Sequence, residues 1–413
     1  MMSYLGIIGL PYAVSLCGFF SGVISLVVVA VVCDFTSRLA ISIGSKMGVE
    51  NYEVLAFRLW GQPGFFLVTL FAVTIEAGAL LSYLIVIGDN LSSSIDYFFD
   101  ESHASAWYTS RNTLILLVGG LVQVPSVLIK NLNIVARLSA LNITLMLSVL
   151  LYVMILEASR PNHFRFDPAL FPNQTQPTFG VVNSDSFVSG VGIISFAFVC
   201  HDGIFPVFKH MEDRSERSWA RVSLSAWAVG SSFSTMFAIA GYLAFFQTTS
   251  GNILNNLGPG MGPVLARMGF SLAIIFTFPI VFFCLRSYVL SLVAVAFGEA
   301  KTSCLPVSEG SANSTASEDL HIPEASTARW LLVTVVLMTG LFSAAMRVTN
   351  LGAVLGVTGS LGSALLGYVV PALAWLQTQA REHARTHVTS VAAGLVLIFG
   401  CVVAVLGSVE SLS

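Results

Sequence analysis

The side chains of this sequence that could do chemistry lie in strongly apolar surroundings. His201 and Asp202 stand side by side with Ser195 nearby, which collects residue types found in hydrolases. Neighbouring residues of an extended strand point apart, and no Gly-x-Ser-x-Gly or His-Glu-x-x-His pattern accompanies them. The sequence therefore argues against an enzyme. Two interpretations of His201 stay open: a ring that changes charge near neutral pH and gates a site, or a neutral ring hydrogen-bonded to a free carbonyl.

A single carboxyl group, that of Glu76, lies near the middle of the apolar stretch from Phe65 to Ile87. A carboxylate at membrane depth costs several kcal/mol unless it faces a cavity, binds a proton or finds a partner. We therefore predict that Glu76 takes part in ion coupling. A permanently protonated acid that only donates a hydrogen bond is the structural alternative.

Two interruptions of apolar stretches would expose backbone groups. Gly6-Ile-Ile-Gly-Leu-Pro-Tyr-Ala13 contains Pro11, which lacks an N–H and clashes with the carbonyl four residues back. Phe196-Ala-Phe-Val-Cys-His-Asp-Gly-Ile-Phe-Pro206 lies about half a chain later. Free backbone groups at membrane depth are tolerated where they line a cavity, and a matched pair of broken segments indicates the binding site of an inverted-repeat transporter. Proline kinks in a packed bundle are the alternative.

The composition places these groups in a membrane. The 413 residues are 55% hydrophobic and only 10% charged, with a mean hydropathy of +0.82, which is typical of a polytopic membrane protein. A net charge of -3 without basic runs argues against a nucleic-acid partner. The six cysteines show neither a disulfide framework nor metal-ligand spacing, so we expect no metal and no cofactor.

Eleven apolar segments are candidate membrane spans, the first of them short. Their spacing predicts an all-α polytopic membrane protein with a five-plus-five arrangement and one extra helix. The first repeat covers residues 1–158, the second 185–378, and the extra helix 388–409. The segments are Tyr4 to Leu16, Gly22 to Ile41, Phe65 to Ile87, Asn112 to Ile129, Ala136 to Leu156, Phe187 to Phe208, Val222 to Phe246, Val264 to Val293, Trp330 to Met346, Leu351 to Trp375 and Val388 to Val409.

The loops between the spans predict the orientation. If the first span runs outward from the cytoplasm, 14 of the 19 Lys and Arg residues lie inside and five outside, namely Arg111, Arg160, Arg165, Arg267 and Arg347. This positive-inside bias favours that orientation. Residues 45–61 are predicted to form a short amphipathic element on the inner surface, and residues 299–328 a flexible cytoplasmic linker.

Several ordered motifs resemble one family along nearly the whole chain. Besides the two interrupted segments they are Tyr52-Glu-Val-Leu-Ala56, Gly61-Gln-Pro63, Ser82-Tyr-Leu-Ile85, Thr277-Phe-Pro-Ile-Val-Phe-Phe-Cys-Leu-Arg286 and Pro371. This set resembles the amino acid/auxin permease family, and within it the sodium-coupled neutral amino acid transporters. The resemblance implies a leucine-transporter-like 5+5 inverted repeat with broken first and sixth helices, and a substrate held between those two helices.

A site of that kind agrees with the residues present. An amino acid brings a carboxylate and an ammonium, and both need partners once water is removed. The predicted substrate-binding residues are Gly6, Ile7, Ile8 and Gly9, of which the last three offer N–H groups to the carboxylate, and Phe198, Val199, Cys200 and His201, of which the first three offer carbonyls to the ammonium.

The resemblance also implies an ion site. In the sodium-coupled relatives a threonine before a proline, here Thr277 before Pro279, contributes to a sodium site, whereas close relatives have a neutral polar residue where this chain has Glu76. The sequence thus leaves sodium and protons open as coupling ions. A hydroxyl that bonds back to its own helix is the alternative for Thr277.

The function expected from these residues is secondary active transport of neutral amino acids by alternating access. We expect a monomer in the lipid bilayer of the plasma membrane or of a vacuolar or lysosomal membrane. The alternative is an amino-acid sensor or a transport-defective short form on the same fold.

The first span is shorter than a membrane crossing. Tyr4 to Leu16 is 13 residues, about 20 Å of helix against a hydrocarbon core of roughly 30 Å. Relatives have another half-helix before the Gly-Ile-Ile-Gly motif. We therefore expect the chain to keep the eleven-segment layout, to leave the inner half of the cavity unlined, and to transport poorly or leak.

Overall fold

The computed structural model describes residues 4–98, 107–129, 133–159, 186–299, 301–305, 317–321, 323, 325–382 and 387–412. Every predicted span coincides with a helical segment of these residues. The helices are α1 (Tyr4–Cys17), α2 (Phe19–Met47), α3 (Tyr52–Phe98), α4 (Arg111–Leu128), α5 (Asn133–Ala158), α6a (Phe187–Phe198), α6b (Ile204–Lys209), α7 (Glu216–Phe245), α8 (Met261–Ala296), α9 (Thr327–Arg347), α10 (Leu351–Ala380) and α11 (His387–Leu412).

The apolar length of these helices fits a multi-pass membrane protein. Among the described residues nine helical segments are long and apolar enough to cross a membrane, and two shorter apolar helices, Gly6–Cys17 and Thr144–Ile155, account for the first and fifth spans. The all-α, polytopic prediction is confirmed. The five-plus-five repeat stays a prediction.

The first segment differs from its prediction. α1 is continuous from Tyr4 to Cys17 and contains Pro11, so the expected break within Gly6 to Ala13 is wrong for the described residues. Proline costs a helix one hydrogen bond and needs room for its ring. Gly241 of α7 supplies that room, because a Cβ at this position would lie 2.6 Å from Pro11 Cγ.

The sixth segment is broken as predicted. α6a ends at Phe198, and Val199 is extended with φ -71° and ψ 126°. Cys200 departs further from helical geometry with φ -141° and ψ 33°, and one turn of 3₁₀ helix, His201–Gly203, leads into α6b. We call residues 199–203 the break.

α1 packs directly on α6a through its small residues. A Cβ added to Gly6 would lie 2.6 Å from Ala197 Cβ and 2.9 Å from Ala197 N, so only glycine permits this approach. Near the other end of α1, Cys17 Sγ lies 3.4 Å from Phe187 O, to which it can donate a weak hydrogen bond. The two helices therefore form one packed unit beside the break.

The regions at the inner ends of the helices contain more structure than predicted. α2 continues to Met47 and ends at Gly48 in the left-handed conformation, and Gly61, with φ 69°, bends α3 after its first turns. The linker predicted at residues 299–328 contains two paired strands, β1 (Lys301–Leu305) and β2 (Ser317–His321), antiparallel with Lys301 opposite His321. A polar segment can form such a hairpin because strand pairing satisfies its backbone groups.

Polar contacts near the helix ends lie on two faces of the protein. On the face predicted to be inner, Lys209 pairs with Glu50 and Ser42 donates to Glu216. Asp34 pairs with Arg38 on the same face, at 2.6 Å. On the opposite face Arg111 pairs with Asp89 at 2.6 Å and donates to the carbonyl of Ala345 at 3.0 Å. Arg160 and Arg165 lie outside the described residues. The assignment of the inner face to the cytoplasm stays a prediction.

The ion pair between Glu299 and Arg329, on the predicted inner face, should make the stability of the fold depend on pH. Arg329 donates two hydrogen bonds to Glu299, at 2.5 and 2.6 Å, and these lower the pKa of Glu299. A lowered pKa stabilises the fold above the ordinary value of 4.5, and the contribution is lost as pH falls through the folded pKa. We expect Arg329→Ala to lower the unfolding midpoint slightly at pH 7 and not at pH 3, measured by thermal unfolding in detergent at low salt. An equal effect at both values would contradict the assignment.

Candidate functional site around the broken sixth helix

The break is held from two sides by buried side chains. His201 is fully buried, and its Nε2 lies 2.9 Å from Thr36 Oγ1 on α2. The Thr36 hydroxyl has one proton and is placed to donate it to Val32 O at 2.8 Å, so His201 Nε2 is the donor to Thr36 in the neutral ring. Phe198, also fully buried, stacks on Trp227 of α7 with ring centroids 6.4 Å apart.

The other ring nitrogen of His201 is the informative one. Nδ1 is buried and has no hydrogen-bond partner among the described residues. It faces Gly367 of α10, where a Cβ would lie 3.4 Å away. The structure therefore favours the neutral, hydrogen-bonded interpretation of His201 in this conformation, with the bond made to a threonine hydroxyl instead of the expected carbonyl.

A pair of carboxyl groups joins α3 to the break. Glu76 is 8% exposed, and Asp202 of the break lies near enough to act on its carboxyl group. Two neighbouring carboxyl groups away from water do not ionise together easily, because their charges repel each other. Glu76 and Asp202 are therefore a candidate site for a coupling proton.

A cavity of about 820 Å³ reaches the break from the inner side. Two predicted site residues, Ile7 and Cys200, line it together with Gly203 and Ile204. No charged side chain is among the described residues that line the cavity. The other lining residues, from α2, α5, α6b and α7, are Ser37, Leu147, Leu151, Val207, Trp219, Val222, Ser223, Ser225, Ala226, Trp227, Val229, Gly230, Phe233 and Ser234.

The predicted backbone partners of a substrate are partly available. α1 is helical from Tyr4 onward in the part that the structure describes, so the helix offers carbonyl partners to the N–H groups of Ile8 and Gly9. The binding roles of Gly6, Ile7, Ile8 and Gly9 stay predictions. At the break, Gly203 N–H donates to Cys200 O at 3.1 Å, which leaves the carbonyls of Phe198 and Val199 as the candidate acceptors.

Thr277 lies on α8 and is not among the residues that line the cavity. Its hydroxyl donates to Ala273 O in the same helix at 2.9 Å, as the structural alternative for this residue requires. This bond does not test the predicted ion role.

Comparison with known proteins matches this arrangement to one family. The family model described as "Transmembrane amino acid transporter protein" matches residues 3–413. The chain belongs to this family. Members of this amino acid transporter family are named transporters and not enzymes, as the sequence predicted.

Individual relatives resemble this chain over most of their own length. A mouse protein provisionally named sodium-coupled neutral amino acid transporter 11 is 25% identical over 99% of this chain and 82% of its own length. The zebrafish sodium-coupled neutral amino acid symporter 2 is 26% identical over 96% and 77%. An Arabidopsis amino acid transporter, AVT6E, is 24% identical over 98% and 80%. The chain is thus similar to sodium-coupled transporters and to a plant transporter.

Three functional candidates of this transporter were missed from the sequence. Asp202 was noted only as part of a possible hydrolase, although an acid within a broken membrane segment is itself a signal. Thr36 and Trp227 sit in ordinary apolar helices, and no sequence pattern connects them to the break.

Proposed function

We propose that this chain transports neutral amino acids across a membrane, with the substrate bound at the break and the Glu76–Asp202 pair as the proton-coupling site. The observation that carries the proposal is the proximity of these two carboxyl groups, because it places a protonatable group beside the unwound segment. The family supplies the transport of amino acids. The neutral substrate and the coupling ion are inferred from the site.

The substrate's two charges would be met by the backbone. The carboxylate would be bound by the backbone of α1 at Gly6 and Ile7, of which Ile7 lines the cavity beside the break. The carbonyls of Phe198 and Val199 offer acceptors to the ammonium. The lining without charged groups leaves a charged substrate side chain unpaired, which favours apolar and small polar side chains.

Coupling would follow from charge repulsion in the carboxyl pair. With one proton bound, Glu76 and Asp202 hold together and fix the break beside α3. With the proton lost, two carboxylates repel each other in a site of low dielectric constant, and the break separates from α3. Proton binding and the conformation of the sixth segment would then depend on each other.

Sodium is the second candidate for the coupling ion. It is favoured by the names of the mouse and zebrafish relatives, which are sodium-coupled. Thr277 would then contribute its hydroxyl oxygen. In that case Thr277→Ala should reduce the sodium dependence of uptake, while Glu76→Gln should leave its pH dependence unchanged.

Cys200 provides a direct test of the substrate site. It is a free, partly exposed cysteine that lines the cavity, whereas Cys33 is fully buried. We expect a membrane-permeant maleimide to label Cys200 in proteoliposomes, and saturating neutral amino acid to slow that labelling at least threefold. Cys200→Ser is the control for the labelled site.

Labelling that is indifferent to every amino acid would contradict a substrate site at the break. Protection of Cys200 without uptake of the labelled amino acid would instead identify a sensor.

A further inference from the structure

The first turn of α6a is capped by a residue from the far end of the chain. The backbone N–H of Ser189 donates to Glu410 Oε2 of α11 at 2.8 Å. Ser186, the N-cap residue of α6a, makes no capping bond with its side chain, which instead donates to Leu16 O at 3.3 Å. The carboxylate that complements the positive end of α6a therefore belongs to α11.

A second contact joins the same two helices. Ser189 Oγ and Ser411 Oγ are 2.8 Å apart, and Ser411 donates its own proton to Gly407 O at 2.6 Å. Ser189 is therefore the donor to Ser411. Ser189 of α6a thus bonds to two successive residues of α11, through its backbone N–H to Glu410 and through its hydroxyl to Ser411.

Close packing around Ser360 of α10 completes the contact. Its hydroxyl lies in the space that a Cβ on Gly192 of α6a or on Gly407 of α11 would occupy. A Cβ on Gly407 would also lie 3.1 Å from Val188 O. The three helices interlock through glycines, so α6a can shift relative to α11 only if this packing opens.

The two halves of the sixth segment are held very differently. Ten of the twelve residues of α6a are buried, whereas only Ile204 and Phe205 are buried in α6b. Beyond these two residues α6b makes a ring contact from Phe208 to Trp219 and an ion pair from Lys209 to Glu50, whose side chains are 49% and 52% exposed. Exposed ion pairs contribute little to stability, so α6b is the less firmly held half.

We propose that α11 clamps α6a in every state of the transport cycle, with Glu410 as the positioning residue, so that the break bends by movement of α6b alone. This proposal deepens the proposed function, and its uptake experiment rests on that function. α11 then has a defined role. It keeps α6a, which forms one wall of the substrate site, fixed while α6b moves.

Two engineered cross-links test the proposal by uptake. Ser189→Cys with Ser411→Cys places two sulfurs where two oxygens are 2.8 Å apart, which suits a disulfide after a small adjustment. Glu50→Cys with Lys209→Cys ties the loop between α2 and α3 to α6b through a bifunctional methanethiosulfonate reagent, because two cysteines are shorter than the ion pair that they replace. Both pairs are made in a Cys17→Ser background, because Cys17 borders Gly190. Peptide mapping confirms each cross-link before uptake of labelled amino acid is measured with and without reductant.

The clamp predicts opposite results for the two cross-links. The α6a–α11 disulfide should leave at least half of the uptake of the reduced protein. The cross-link between Glu50→Cys and Lys209→Cys should lower uptake at least tenfold, reversibly with reductant. Reversible loss of uptake in the α6a–α11 pair would overturn the proposal, and so would full uptake with α6b cross-linked.

Hydrogen exchange tests the clamp independently of transport. In Glu410→Ala, amides of residues 187–190 should exchange about tenfold faster than in the parent, and Glu410→Gln, which keeps an acceptor oxygen, should restore most of the protection. Ser408→Ala is the matched control, since its hydroxyl donates to Ala404 O of its own helix. Unchanged exchange in Glu410→Ala would overturn the clamp. If the parent chain shows no uptake, the proposed function fails while this measurement still decides on the clamp.

Discussion

Glu76→Gln should abolish the pH dependence of uptake and lower proton-driven uptake at least tenfold, which corresponds to about 1.4 kcal/mol or more of lost coupling. The amide has nearly the size of the carboxyl group but cannot bind or release a proton, so the pair loses the charge change that moves the break. Uptake should be compared in proteoliposomes with an inward proton gradient and with none. Exchange of amino acid without any gradient should persist in this variant.

Glu299→Gln is the control for this substitution, because it removes a carboxylate on the inner face outside the site. An additional Asp202→Asn change should have little further effect once Glu76 is an amide, since the two groups act as one site. Equal pH profiles in Glu76→Gln and the parent would leave Glu76 with a structural role only.

We expect Gly6→Val to abolish uptake and to leave little correctly folded protein. The first carbon of any side chain here would already lie 2.6 Å from Ala197 Cβ, and backbone atoms of α6a leave it nowhere to go. Overpacking of this kind costs about 1–3 kcal/mol, and separating α1 from α6a would also disturb the substrate's wall. Gly6→Ala should be milder than valine and still clearly destabilised, as judged by monodisperse yield and thermal unfolding in detergent.

The matched control is Gly340→Ala in α9, where an added Cβ meets nothing within 4 Å. It should match the parent in yield, unfolding and uptake. Wild-type behaviour of Gly6→Val would show that α1 does not pack on α6a as described.

The sequence was most informative where membrane physics constrains it. Eleven apolar stretches of suitable length predicted the spans, and Pro206 with Gly203 marked a break that the structure shows at residues 199–203. Pro11 led to a wrong prediction because its tolerance depends on a glycine more than two hundred residues later, Gly241. A local proline rule does not contain that information.

The site itself depended on contacts between distant segments. Glu76 was recognisable from its cost in a membrane, but its partner Asp202 follows only once α3 lies beside the break. The sequence does not single out Glu410, since only the fold brings it to the amide of Ser189. The energetic cost of burying a charged group can be predicted from the sequence, whereas the partner that offsets this cost is visible only in the structure.

Uptake driven by an imposed gradient tests the central claim most directly. Purified protein is reconstituted into liposomes, and a labelled neutral amino acid is supplied under an inward proton gradient, an inward sodium gradient, both, or neither. The account predicts accumulation above equilibrium with the proton gradient alone, no further gain from sodium, and collapse when a protonophore is added. Accumulation that requires sodium and is indifferent to the proton gradient would contradict coupling through Glu76 and Asp202, and binding without accumulation under any gradient would contradict transport itself.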